Sequence, residues 1–80
     1  MIDSIRIGIA GTGFAARFHL DNFLHSGAQV VAVTSARPES REAFAAKHGL
    51  RSFASVAEML PEIDVLDICT PPRFYQTVLF

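Results

Sequence analysis

A single cysteine, Cys69, occurs in the 80 residues, which excludes an internal disulfide and a multi-thiolate metal site. It stands in an apolar run, where a buried structural thiol is the expectation. The three histidines show no ligand pairing on one helical face, so no metal is expected. Charge of either sign is also scarce: seven Lys and Arg against eight Asp and Glu leave a net charge of −1. The basic residues are scattered from Arg6 to Arg73, without the stripe that tracks a phosphate backbone, and nucleic acid is not an expected partner. No stretch approaches the roughly 20 apolar residues that cross a bilayer, so no membrane is expected either. "MIDSIR" carries an early acid and the apolar run after it stops at Gly11, unlike a secretory signal, and the expected location is the cytoplasm.

Half of the residues are hydrophobic, too many for a disordered chain. A chain of this length forms at most one small domain, burying a little over ~60% of its unfolded surface. "SIRIGIA" alternates Ile5, Ile7 and Ile9 with Arg6, Gly8 and Ala10, the period of a strand whose second face needs small side chains. From Ala15 to Ser26, the residues Ala16, Leu20, Phe23 and Leu24 mark one apolar face of a helix that Gly27 can stop. "QVVAVTS" is continuous and β-branched, as in a strand covered on both faces. "RPESREAFAAKHGL" has Pro38 in a first turn, acids near its start, and Lys47 and His48 before Gly49, a second helix with its polarity intact. A short extended piece at Arg51 to Phe53, a brief helix at Val56 to Leu60, and the strand "DVLDICT" follow. "RFYQTVLF" can open a further helix. This alternation predicts an α/β fold, a parallel sheet joined by right-handed crossovers with helices on both faces.

Between the first strand and first helix lies "GTGFAARFH", with Gly11, Gly13 and Ala16 spaced GxGxxA. That spacing alone arises in about one random chain of this length in twenty, so its position inside a βαβ unit carries the weight. Gly11 allows the tight turn, Gly13 lets backbone approach a pyrophosphate, and Ala16 keeps helix and strand close. The amides of Thr12, Phe14 and Ala15, with the helix's positive end, then face the phosphates. The alternative is a glycine corner that serves packing alone.

An acid at the end of the second strand normally holds the adenosine ribose 2′-hydroxyl. Thr34, Ser35 and Ala36 stand there instead, followed by Arg37. An Asp about 4 Å from a 2′-phosphate costs around 4 kcal/mol per unit charge at an effective dielectric of 20. Its absence, and an arginine where a helix cap belongs, favour NADP over NAD. In the alternative, Arg37 is solvated and Ser35 bonds an unphosphorylated ribose.

With "GTGFAARFH", "VVAVTS", "RPESREAFAAKHG" and "DVLDICTPP" in place, the chain resembles the N-terminal part of the Gfo/Idh/MocA oxidoreductases from about Ile5 to Pro72. The resemblance implies an incomplete Rossmann-type fold and NAD(P)-dependent hydride transfer on a sugar, polyol or related carbonyl compound. It implies that Gly11, Thr12, Gly13, Phe14 and Ala15 hold the pyrophosphate, that Ser35 and Arg37 hold the adenosine ribose, and that Thr70, Pro71 and Pro72 line the cofactor cleft. It also implies a substrate domain absent from residues 1–80, a small-molecule substrate bound only with it, and a homo-oligomer in the full-length form. The family's histidine after the Thr-Pro is replaced here by Tyr75. Its Glu-Lys-Pro segment is missing, since Lys47, the only lysine, sits on the second helix. The expectation is a fragment of an enzyme, inactive alone and without catalytic residues of its own. The alternatives are a non-catalytic nucleotide-binding or assembly module, or an inactive truncated product. Among residues set aside, His19 is expected to pack on its helix, Asp67 to need a partner if buried, and Phe14, Phe18 and Phe23 to form core or cleft wall.

Overall fold

A computed structural model describes residues 5–69 and 76–79. Five strands and three helices follow one another as β1 (Arg6–Ala10), α1 (Phe14–Ser26), β2 (Gln29–Thr34), α2 (Pro38–His48), β3 (Arg51–Phe53), α3 (Val56–Met59), a 3₁₀ turn (Leu60–Glu62), β4 (Val65–Ile68) and β5 (Gln76–Leu79). The sheet order is β3-β2-β1-β4-β5. The first four strands run parallel. This is the expected architecture, with strand order reversing about β1, so that the crevice between β1 and β4 is its topological switch point.

Two cores lie on opposite faces of the sheet, because successive strand residues point to opposite sides. On one face Ile9, Val33 and Cys69 meet Ala16 and Leu20 of α1 and Phe44 and Ala45 of α2. On the other, Ala10, Ala32 and Leu66 meet Met59 and Ile63. Gly8 is small for the second face: a Cβ there would sit 2.9 Å from Ile63 side-chain atoms and 3.0 Å from the Met59 sulfur. Ser55 caps α3 by accepting the Glu58 amide at 3.2 Å, one half of a capping box. At the N-terminal edge of the sheet, Arg6 donates its amide and its guanidinium to the Asp64 carboxylate. These bonds hold that carboxyl below its usual range.

Three expectations need correction. Gln76–Leu79 forms no helix but an antiparallel strand on β4, with Leu66 opposite Val78. Leu24 is 58% exposed rather than part of the apolar face. At about 100° per residue, a position seven residues after Ala16 stays within about 20° of its direction, whereas one eight residues on has drifted about 80°. Phe18, expected in the core or cleft wall, is 57% exposed. Phe23 is half-buried.

Candidate functional site

The chain leaves β1 through a narrow passage. Gly11 donates its amide to the Thr34 carbonyl at 2.7 Å, and Cys69 donates to the Ala10 carbonyl at 2.8 Å. Gly11 has a φ of +121°, and a Cβ on it would lie 2.6 Å from the Cys69 carbonyl oxygen. Conformation and packing both require glycine at that position.

Gly13 differs on both counts. Its φ of −81° and ψ of −161° are open to any residue, and a Cβ there would meet no described protein atom within 4 Å. It is exposed and stands as the N-cap of α1, with no side-chain cap and no acid in the first turn. The leading amides of a helix lack intrahelical acceptors; here the first turn carries no acid to answer the positive end of the dipole, and no side chain caps it among the described residues. Such an end attracts an anion. Ala16, fully buried against the core, seats the helix on the sheet. The three small positions of the motif thus differ: Gly11 makes a tight turn, Gly13 stands open, and Ala16 is packed.

Beside this corner a pocket of about 280 Å³ is lined by Ala10, Gly11, Thr34, Ser35, Ala36, Ala54 and Val56. Its volume is close to the lower limit for small-molecule sites, of about 300 Å³. No acid lines it. Ser35 donates its hydroxyl to the Arg37 carbonyl at 3.2 Å, and Arg37, exposed, is the N-cap of α2 with no side-chain capping bond. Gly11 joins the pocket to the start of α1. Gly11, Thr12, Gly13, Phe14 and Ala15 therefore lie together at that start, with Ser35 and Arg37 at the end of the neighbouring β2. Thr70, Pro71, Pro72 and Tyr75 fall outside the described residues.

A polar group that histidine spacing missed lies beneath α1. His19 Nδ1 is 2.6 Å from Asp67 Oδ2 and 3.3 Å from Cys69 Sγ, and the thiol donates to the same carboxylate oxygen at 3.5 Å. Asp67 and Cys69 share one strand face at a spacing of two, the signal that was available in the sequence. The three donor atoms lie within 4.8 Å of one another, but two ligands of one ion held at about 2.0–2.1 Å stay roughly 3.3 Å apart. The His19–Asp67 separation is that of a short direct hydrogen bond. The group acts as a lock between α1 and β4 and supplies the buried Asp67 with its expected partner.

Burial, then the nearby Asp67 charge and its hydrogen bond, push the Cys69 thiol up to about 12 from its ordinary 9.0. The folded chain then carries on the order of a thousandfold less thiolate at pH 8 than an ordinary cysteine would. Iodoacetamide is expected to label Cys69 slowly at pH 8 in the folded chain and at the normal rate in urea; equal rates would contradict this. Because the unfolded thiol loses its proton first, stability is expected to fall as pH rises from about 9 to about 12.

The family model described as "Oxidoreductase family, NAD-binding Rossmann fold", of the Gfo/Idh/MocA type, matches residues 5–79. This chain belongs to the Gfo/Idh/MocA family. Among solved structures, UDP-N-acetylglucosamine 3-dehydrogenase GnnA from Acidithiobacillus ferrooxidans is 33% identical, with a TM-score of 0.73 over 84% of this chain and 22% of that one. The WlbA dehydrogenase from Bordetella pertussis, in complex with NADH and UDP-GlcNAcA, is 32% identical, with a TM-score of 0.77 over 84% of this chain and 22% of that one. Biliverdin reductase from Synechocystis sp. PCC 6803, in complex with biliverdin and NADP+, is 33% identical, with a TM-score of 0.70 over 82% of this chain and 22% of that one. The chain therefore spans about a fifth of the length of these relatives. No match was found among curated proteins. Among the described residues, no helix is long and apolar enough to cross a membrane.

Proposed function

We propose that this chain is the dinucleotide-binding portion of an oxidoreductase that prefers NADP and acts by hydride transfer on a sugar, polyol or related carbonyl compound. The observation that carries the reading is Gly13: neither backbone conformation nor packing among the described residues asks for glycine there, so its use is to admit a ligand to the first-turn amides of α1. In this reading the amides of Thr12, Phe14 and Ala15 bind the pyrophosphate. Ser35 and Arg37 hold the adenosine ribose at the pocket beyond β2, and Thr70, Pro71 and Pro72 continue the cleft. A bound nicotinamide supplies the hydride-transfer chemistry; these residues bind and orient it. The substrate domain and the catalytic groups then belong to sequence outside residues 1–80, as the coverage of the relatives supports, and these 80 residues alone are inactive. The UDP-sugar names of GnnA and the WlbA complex favour a sugar substrate.

Relatives of similar identity were solved with NADH and with NADP+, so the preference rests on this chain's own residues. The acid-free pocket leaves room for a 2′-phosphate, and the exposed Arg37 guanidinium has no hydrogen bond or ion pair to the described residues. A charged hydrogen bond contributes about 1.5–3 kcal/mol. Arg37→Ala is therefore expected to weaken NADPH binding at least about tenfold in calorimetry while NADH changes less than about twofold. Equal losses for the two cofactors, or tighter binding of NADH by the unaltered chain, would overturn the NADP preference.

A further inference from the structure

We infer that Arg41 is a positioning residue for cofactor choice: from α2 it braces the turn after β2 and so sets where Arg37 stands relative to the ribose end of the pocket. The inference rests on the NADP reading proposed above and goes beyond it, to a residue that lines no part of the pocket.

Arginine side chains are seldom buried without compensation, yet that of Arg41 is only 15% exposed. Its Nη1 donates to the Ser35 carbonyl at 3.1 Å, its amide donates to the Arg37 carbonyl at 3.1 Å, and the Ser35 hydroxyl donates to that same carbonyl. The guanidinium bond to Ser35 is the one the Arg41 side chain makes; the amide bond opens α2 and the Ser35 hydroxyl bond tightens the same turn. The guanidinium gains little elsewhere. Its Nε is buried with no hydrogen-bond partner among the described residues, and the nearest carboxylate oxygen, Glu42 Oε2 at 4.0 Å, already accepts the Ser52 hydroxyl at 2.7 Å. An apolar side chain of similar length would fill this space without stranding a polar atom. The compensation is the grip on Ser35, whose residue lines the pocket.

The test compares the ratio of NADPH to NADH affinity, by calorimetry, in the 80-residue chain and in Arg41→Ala, Arg41→Met, Arg41→Lys, Arg37→Ala and the double variant Arg37→Ala/Arg41→Ala. Loss of the brace is expected to lower the ratio about fivefold, the equivalent of one net hydrogen bond. Arg41→Lys, which keeps a cationic donor, is expected to restore most of it. Arg41→Met fills the space and carries the same expectation as Arg41→Ala where the smaller side chain impairs folding. With Arg37 already removed, removing Arg41 is expected to leave the ratio unchanged. The inference is overturned if the Arg41 variants leave the ratio intact while Arg37→Ala lowers it, or if Arg41→Ala lowers it equally without Arg37. If Arg37→Ala itself leaves the ratio unchanged, the underlying NADP reading fails, a result distinguishable from the other two.

Discussion

Gly11→Ala is expected to destabilise the chain by about 3 kcal/mol or more, combining a left-handed backbone unsuited to a Cβ with overpacking. The second part cannot relax by rotating a side chain, because the atom 2.6 Å away is the Cys69 carbonyl oxygen at the end of β4. Moving it would also pull on the Cys69 amide, which donates to Ala10. A domain of this size has a total stability of roughly 4–12 kcal/mol, so a large share would be lost. Urea unfolding followed by circular dichroism measures it. A change under about 0.5 kcal/mol, the range of ordinary surface substitutions, would show that the passage between β2 and β4 is looser than described.

Gly13→Val, two residues along the same loop, is expected to do the opposite: little to stability and much to binding. Its backbone angles suit any residue and its surroundings are open, so the folding cost is expected to stay within about 1 kcal/mol, the scale of an altered N-cap. The branched side chain would stand in front of the leading amides of α1. Losing even one charge-assisted bond to a phosphate costs about 1.5–3 kcal/mol, so affinity for both NADPH and NADH is expected to fall at least about tenfold. Unchanged affinity in a well-folded variant would mean that the anion approaches elsewhere. The two glycines thus separate folding from binding within one motif.

The features legible in the sequence were local ones. Alternation in "SIRIGIA", the unbroken β-branched run of β2, and Gly27 and Gly49 in left-handed turns after the helices each follow from a few neighbouring residues. They predict the alternating α/β fold and its parallel sheet, and the glycine spacing marks the loop where β1 and α1 meet; the order of the strands across the sheet depends on long-range pairing. What was not legible depends on partners far along the chain. Gln76–Leu79 carries no period to tell strand from helix, and its state comes from pairing with β4. The His19–Asp67 bond joins residues 48 apart, so each looked like an isolated polar residue. Arg41 looked like one of several scattered charges until its burial and its bond to Ser35 were visible. Leu24 was misplaced for a geometric reason, since one residue of helical drift moves a side chain from the core to solvent.

The most direct test of the anion site is titration of the ¹⁵N-labelled chain with NADPH, following backbone amide resonances. Saturable shifts led by Thr12, Phe14 and Ala15 at the start of α1, with Ser35 and Arg37 following, are the predicted result. Saturable binding that leaves those α1 amides unmoved while others shift would contradict the account.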